Sequence, residues 1–439
     1  MFVTKIRRTM KLVRYIPFVF LVLFPLLVGG TAVADTNAPE AVESSSNWDT
    51  TRKLTNQTNA PNGAQRPIVA VAPNNSTIIV AYLRQNSASE LDVDPYYRKS
   101  PDGGDTWTQP ARIYSSAAIS RQVHVALDSK SRGHAVWTEG DNQLWYAGEN
   151  QWAGNGAQLL FTANVLIELP KIAVDANDTL HIVWSEVKFT GQDIYYSRSF
   201  DGGANWTAAE KISSGAASSE SPALAIDANN RANVIWEEQV GGTEYKINYS
   251  RRSGGVWSTP ISISNIVPNL TSAREPDIAI KGGRVMVVFE NRVSLPEQTL
   301  YYLECTNNCT VNPLTSNQWR YRLVTPQTYG AKDSDPTYLG PKVAAIGQCR
   351  TIFFSGIAGN TSTNNEKIRL ADSCSGFTYN PLVQTIEDSL GVNDRAIKPS
   401  VAVLNNWQVF LAYEQKSPAR SDIYFVRNQP GIFLPLVIK

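Results

Sequence analysis

Methionine is scarce in this 439-residue chain, at three residues, and cysteine supplies only four. The cysteines are not spaced as zinc ligands are, which argues against a metal site. Charge of one sign is not in excess either: 40 Lys and Arg stand against 39 Asp and Glu. A chain so balanced lacks the basic footprint of a nucleic-acid binder. No long amphipathic helical pattern follows residue 34, which argues against a helical fold. The one long apolar run, residues 16–28, is too short for a comfortable transmembrane helix. No motif asks for a cofactor, and no metal is expected. The turns Asp175-Ala176-Asn177-Asp178 and Asp227-Ala228-Asn229-Asn230 lack the ligand count that calcium wants and read as turn chemistry.

The apolar run has another reading. Lys5, Arg7, Arg8, Lys11 and Arg14 precede it, and Ala32-Val33-Ala34 follows it. That order is the pattern of a secretory signal peptide cleaved before Asp35. The Arg7-Arg8 pair is similar to a twin-arginine signal, but the rest of that motif is weak and ordinary secretion is favoured. Residues 35–47 read as a flexible lead-in. Residues 433–439 (F-L-P-L-V-I-K) form a short apolar tail, read as an edge segment or, alternatively, an attachment signal. The expected location is outside the cell, with attachment to the cell surface left open and no stable membrane span once the signal is removed.

What is abundant is alternation: short strand-like runs between Gly, Asn, Asp and Ser turns. One phrase occurs seven times: a variable residue, usually Pro, then an apolar strand with a central alanine. Those alanines are Ala70, Ala126, Ala173, Ala225, Ala279, Ala344 and Ala402, spaced by 47 to 65 residues. A second strand follows each, ending in Tyr82, Trp137, Trp184, Trp236, Phe289, Phe354 or Tyr413. Aromatic third strands come next, as in Tyr195-Tyr196. Units of this size and pattern are four-stranded blades of a β-propeller, small side chains at the crowded axis and large ones outside.

Residues 48–432 are therefore expected to form one all-β propeller of seven antiparallel blades, with six blades and an irregular module as the alternative. The last repeat stops after its third strand, Asp422–Arg427. Residues 48–55 resemble the fourth strand that follows Trp206 and are expected to complete blade seven, leaving no open edge.

Two further phrases mark the register: Ser100-Pro-Asp102-Gly-Gly104-Asp-Thr-Trp107 and Ser199-Phe-Asp201-Gly-Gly203-Ala-Asn-Trp206. Each Asp can accept hydrogen bonds from turn amides, each second Gly permits a left-handed backbone, and each Trp can bury apolar area. The phrase resembles the Asp-box of sialidase-type (BNR-repeat) β-propellers, where it is a structural turn. Aligned on it, Cys305 takes the position of Ser199 and Cys309 that of Gly203, while Cys349 and Cys374 begin and follow adjacent strands. Disulfides Cys305–Cys309 and Cys349–Cys374 are expected, consistent with export.

The resemblance to sialidases is densest in the first blade, Arg66 to Trp107. It implies that Arg66 binds a substrate carboxylate, a role suited to bidentate pairing. It implies Arg84 as a second arginine and Glu90, Asp92 or Asp94, Asp92 first, as the acid/base carboxylate. By position, Arg274 would serve as a further arginine, Glu238 as the activating Glu and Tyr338 as the nucleophile. Where sialidases have Arg-Ile-Pro, this chain has Arg66-Pro67-Ile68, and Lys398 stands in the last blade where a Tyr might have been supplied.

The starts of the first strands and the loops after the second strands share one face. That face collects Glu139, Glu186, Glu237, Glu238, Glu290 and Glu414, and the ordinary expectation is a solvated rim. Three functions remain open. The first is a secreted binder of glycans or cell-surface polymers, using aromatics and acids on this face. The second is a retaining exo-glycosidase of the exo-α-sialidase type. The third is a non-catalytic, protein-binding scaffold. Fold alone does not choose among them.

Overall fold

The computed structural model describes residues 48–428 except 57–62, 88, 90, 155, 215–217, 295–296, 308, 311–317, 325–328, 331–339, 359–365, 375–383, 387–393, 405–406 and 419. The expected signal peptide, lead-in and apolar tail, and the candidates Glu90 and Tyr338, lie outside the described residues. The chain forms a seven-bladed β-propeller of antiparallel blades. The innermost strands are Ala64–Val71, Ser120–Leu127, Leu166–Val174, Ser219–Ile226, Ala273–Lys281, Lys342–Ile346 and Arg395–Leu404. Second and third strands follow in chain order, for instance Ile78–Gln85 and Val93–Ser100 in blade 1. Blades 5 and 6 are joined by Tyr329–Gly330, which pairs with both.

The repeated residues do what their size suggests. The aromatic closing each second strand, from Tyr82 to Tyr413, is buried in every blade. Turn chemistry accounts for the acidic turns: Asp175 Oδ1 accepts from the amides of Asn177 and Thr179, and Asp227 Oδ1 from those of Asn229 and Arg231. Each is an Asx turn, in which the aspartate closes its own loop.

The N-terminal segment closes the ring. Arg52–Lys53 pairs with Phe425 and Tyr424 of the last blade, and Trp48 bridges to Asn428. Trp48 also meets Phe353 of blade 6 edge-on, at 6.1 Å between centroids. The same clasp recurs around the ring: Trp107 on Phe425, Trp152 on Tyr97, Trp206 on Tyr146, Trp257 on Tyr196 and Trp319 on Tyr249. Each tryptophan packs edge-on against an aromatic of the preceding blade, so six of the seven blades are fixed to the one before. The sequence reading recognised this tryptophan in blades 1, 3 and 7 and missed Trp152, Trp257 and Trp319, whose flanking residues differ.

The two Ser-x-Asp-x-Gly-x-x-Trp turns are nearly superimposable in bonding. Ser100 Oγ donates to Asp102 Oδ1 and accepts from the Gly104 amide; Ser199 does the same with Asp201 and Gly203. The Trp107 and Trp206 indoles donate to the carbonyls of Gly104 and Gly203, both at 3.1 Å. Hydrogen bonds from Thr106 hold the Asp102 carboxyl down at about 2, and those from Asn205 do so for Asp201. Both are permanent acceptors, not proton donors.

Both expected disulfides are present. In blade 5 the Cys305–Cys309 bridge replaces the Ser-to-Gly hydrogen bond of that turn by a covalent link over the same four-residue span. Trp319 then donates to the Cys309 carbonyl at 3.1 Å, as the other two tryptophans do to glycine.

Candidate functional site

The start of each innermost strand is built in an unusual way. Arg66, Gln122, Leu169, Ser221, Glu275, Gly340 and Lys398 all have φ between 49° and 54°. Six of the seven are not glycine, and left-handed backbone is uncommon for such residues. In six blades the register breaks here, as between Gln65 and Ile68 or between Arg274 and Asp277. These are β-bulges, and a bulge re-aims the side chains around it. The residue after each, proline in six blades, is buried in the ring, which holds the strained backbone in place.

Three of these strained amides are satisfied across blades. Arg66 N–H donates to Glu414 Oε2 (3.2 Å), Leu169 N–H to Gln122 Oε1 (2.7 Å), and Glu275 N–H to Glu237 Oε1 (2.7 Å). The acids of this face are therefore not a solvated rim. Glu139, Glu237, Glu238, Glu290 and Glu414 are all buried, and Glu186 is half-buried. Glu139 accepts from Ser120 Oγ and the Trp137 indole; Glu238 accepts from Ser219 Oγ and the Trp236 indole. Glu237 and Glu414 are used in blade-to-blade bonding, whereas Glu139 and Glu238 are held within their own blades.

Between blades 1, 2 and 3 the face opens into a cavity of about 550 Å³. Its polar wall includes Gln65, Arg66, Arg121, Gln122, Asp141 and Glu168; Leu83, Val93, Leu166 and Ile167 supply apolar surface. Arg66 is exposed, and its guanidinium has no hydrogen bond or ion pair among the described residues. Arg121 Nε pairs with Asp141 Oδ1 at 2.7 Å, both side chains about half exposed. The Glu168 carboxyl is pushed up by burial and by the nearby Glu220 charge, against the pull of Arg66. Donors, acceptors and one carboxyl with a raised pKa thus face one concave space, a combination suited to a hydroxyl-rich ligand.

The sequence reading missed Gln65, Arg121 and Glu168. They occupy the repeat column just before the left-handed residue, and that column is polar in the first five blades: Gln65, Arg121, Glu168, Glu220 and Arg274. The expected sugar-stacking aromatics are absent from the cavity lining, because the repeated aromatics are spent on the inter-blade clasps.

The predicted site residues fall in three places. Arg66 lines the cavity. Arg84 does not: its neighbour Gln85 points into the cavity, and successive strand residues face opposite sides. Arg84 instead stacks over Tyr96, 4.8 Å from the ring centroid, on the side turned to blade 7. Asp92 and Asp94 both accept from Asn86 Nδ2, at 2.9 and 2.8 Å. Burial raises the Asp94 carboxyl, while the Asn86 hydrogen bond lowers that of Asp92.

Arg274 lies elsewhere, packed from blade 5 against blade 4. Its guanidinium pairs with Glu237 (2.7 Å) and Glu220 (3.1 Å) and lies 3.8 Å from the Tyr245 ring centroid. Glu237 is fully buried, and burial together with the Glu275 and Glu220 charges raises its pKa despite Arg274. The folded chain thus holds this proton more tightly than the unfolded chain. Glu237 costs nothing below the usual carboxylate range and costs progressively more as pH climbs toward its raised value. Glu237→Gln is accordingly expected to flatten the fall in stability between about pH 5 and pH 8. Urea unfolding at several pH values checks this; parallel curves for the two proteins would refute it.

No family model matches the chain, and no curated protein matches its sequence. Solved structures do resemble it in fold. A protein of unknown function from Dyadobacter fermentans aligns at a TM-score of 0.50 and 12% identity, over 86% of this chain and 99% of that one. The polysaccharide lyase Uly1 aligns at 0.51 and 7%, over 85% and 91%. The Trypanosoma rangeli sialidase in complex with the inhibitor DANA aligns at 0.44 and 11%, over 83% of this chain but only 55% of that one. At these identities the likeness is one of fold.

Proposed function

We propose that this protein is an exported glycan-binding propeller whose ligand sits in the cavity between blades 1, 2 and 3. The observation that carries this reading is the cavity itself: about 550 Å³, rimmed by amide, guanidinium and carboxyl groups over an apolar floor. Amide and charged groups at fixed positions suit the hydroxyls of a sugar, and Arg66 suits a carboxylate-bearing one. One of its fold neighbours is a polysaccharide lyase, which is in keeping with a glycan ligand. Two disulfides support a place outside the reducing cytosol, and no helix among the described residues is long and apolar enough to cross a membrane.

A glycan array probed with the protein from Asn47 onward is the direct test. Bound glycans should lose about tenfold in affinity on Arg66→Ala, the loss of one charge-assisted contact. Arg121→Ala should show a similar loss. Retention of full binding by both variants would place the site elsewhere. Binding of a protein partner in place of any glycan would favour the scaffold reading.

The exo-glycosidase reading draws on the group formed by Tyr245, Glu220 and Arg274, which joins a phenol, a carboxylate and a guanidinium. It would require Tyr245, rather than Tyr338, to attack the sugar, with its charge balanced by groups that already pair with each other. A fluorogenic sialoside assayed from about pH 4 to 8 decides it. The binding reading expects no turnover. Turnover that disappears in Tyr245→Phe would replace it by the hydrolase.

A further inference from the structure

The axis of the propeller carries a second, separate cavity. Below the ring of left-handed residues, amides of one blade donate to side chains of the blade before it. Val69 N–H donates to Ser400 Oγ (3.0 Å), Ile172 N–H to His124 Nδ1 (3.4 Å), and Val343 N–H to Asp277 Oδ2 (3.0 Å). In blades 1, 3, 4 and 6 the equivalent side chains are Ile68, Lys171, Ala223 and Lys342, none of which can accept. The amides that follow them around the ring, those of Val125, Leu224, Ile278 and Val401, receive no such acceptor. The last three of these residues line the axial cavity.

That cavity measures about 430 Å³, and its charge is lopsided. Lys171, Lys281 and Lys342 line it against a single carboxylate, Asp277. Lys342 lies 3.5 Å from Asp277, and Lys281 Nζ donates to the Ala345 carbonyl at 3.3 Å. Lys171 has no hydrogen bond or ion pair among the described residues. Lys171 and Lys342 also line a smaller opening of about 160 Å³ with Arg66 and Lys398, which leads toward the face. One unpaired lysine, an excess of ammonium groups and unaccepted amides around one concave space are what an anion site offers.

We infer that the axial channel binds a small tetrahedral oxyanion, of the sulfate or phosphate class, between the ammonium groups of Lys171 and Lys342. The amides of Leu224 and Val401 complete its contacts. This site is independent of the glycan cavity, and its ligand is either the free ion or the same group carried as an ester on a sugar. Desolvation and the repulsion of Lys342 pull the Lys171 pKa down to about 8, against Asp277 and Glu275, with Arg66 adding to the repulsion. His124, desolvated beside these lysines, stays neutral and contributes no charge. An anion seated at Lys171 favours its protonated form, so binding should take up a proton near pH 8 and weaken as pH rises further.

Isothermal titration with inorganic sulfate, at constant ionic strength in two buffers of different ionisation heat at pH 8, reads both quantities. Saturable binding with fractional proton uptake is expected. Lys171→Met should weaken binding by about tenfold or more and abolish the uptake. Without sulfate, the same variant should melt no lower than the parent, since an unpaired desolvated charge has been removed. Glucose 6-sulfate, titrated identically, separates an ester from a free ion. Loss of either ligand's signal in Lys171→Met supports the site. Failure of both ligands to bind, or equal binding by parent and variant, overturns it.

Discussion

A chain that begins at Gly63 instead of Asn47 is expected to lose more than about 5 kcal/mol of stability, comparable with the whole margin of an ordinary domain. The segment it lacks buries Trp48 and Leu54, at 8% and 2% exposure. Truncating either kind of side chain costs about 2–5 kcal/mol. The segment also supplies Thr55 Oγ1, which donates to Asp422 Oδ1 and accepts from the Ile423 amide, both at 2.9 Å. Without it, Ser421–Arg427 becomes an unpaired edge strand, and such edges promote association. Denaturant unfolding and light scattering should show a lower midpoint and aggregation. A peptide of residues 47–56 added in trans should restore part of the transition. Trp48→Ala alone should cost about 3 kcal/mol. A shortened chain with an unchanged midpoint would mean that the ring does not depend on this closure.

Gly203→Ala should be severely damaging for a single methyl group, at about 3–5 kcal/mol, because left-handed strain and overpacking add. Gly203 has φ +94°, and a Cβ there would lie 2.2 Å from the Tyr146 ring and hydroxyl. Tyr146 cannot retreat: it packs against Trp206, donates to the Gly202 carbonyl and bonds His134. The neighbouring Gly202 is the control. Its φ is +71°, but a Cβ would meet nothing within 4 Å. Gly202→Ala should therefore show backbone strain alone, about 1–2 kcal/mol. Blade 1 repeats the contrast, with Gly104 2.6 Å from Phe425 and Gly103 3.5 Å from its nearest neighbour. Comparable losses at the two glycines of a turn would disprove a role for this contact in joining blades.

The clasp explains why some of the fold was readable and some was not. Ser199, Asp201, Gly203 and Trp206 sit within eight residues, and their bonds are made within that span. Cys305 and Cys309 could be placed by the same alignment because the covalent link spans the same four residues. Trp257 and Trp319 perform the tryptophan's part without the rest of the phrase. Their partners, Tyr196 and Tyr249, belong to the preceding blade, and a motif bound to one turn carries no record of that contact.

The site was less legible for the same reason, enlarged. Arg66 was visible as a first-strand arginine and does line a cavity. Arg84 and Gln85 are adjacent in sequence and diverge in space, because strand geometry sends them to opposite sides of blade 1. Arg274 looked available to a ligand until the ion pairs with Glu220 and Glu237 were seen.

Sequence patterning alone favoured seven blades over six, with their strand order and closing segment, and alignment on the Ser-x-Asp-x-Gly-x-x-Trp turns pointed to the disulfide pairing. These follow from local hydrogen bonds and from the size of side chains repeated at equivalent positions. Tertiary structure decided what repeats cannot encode individually: which carboxylates are occupied, which arginine lines a cavity, and where cavities open. Bulges at the starts of the innermost strands bring Gln65, Arg121 and Glu168 to one cavity, which residues from three blades line together. A repeat specifies one blade at a time, whereas the chemistry lies between blades.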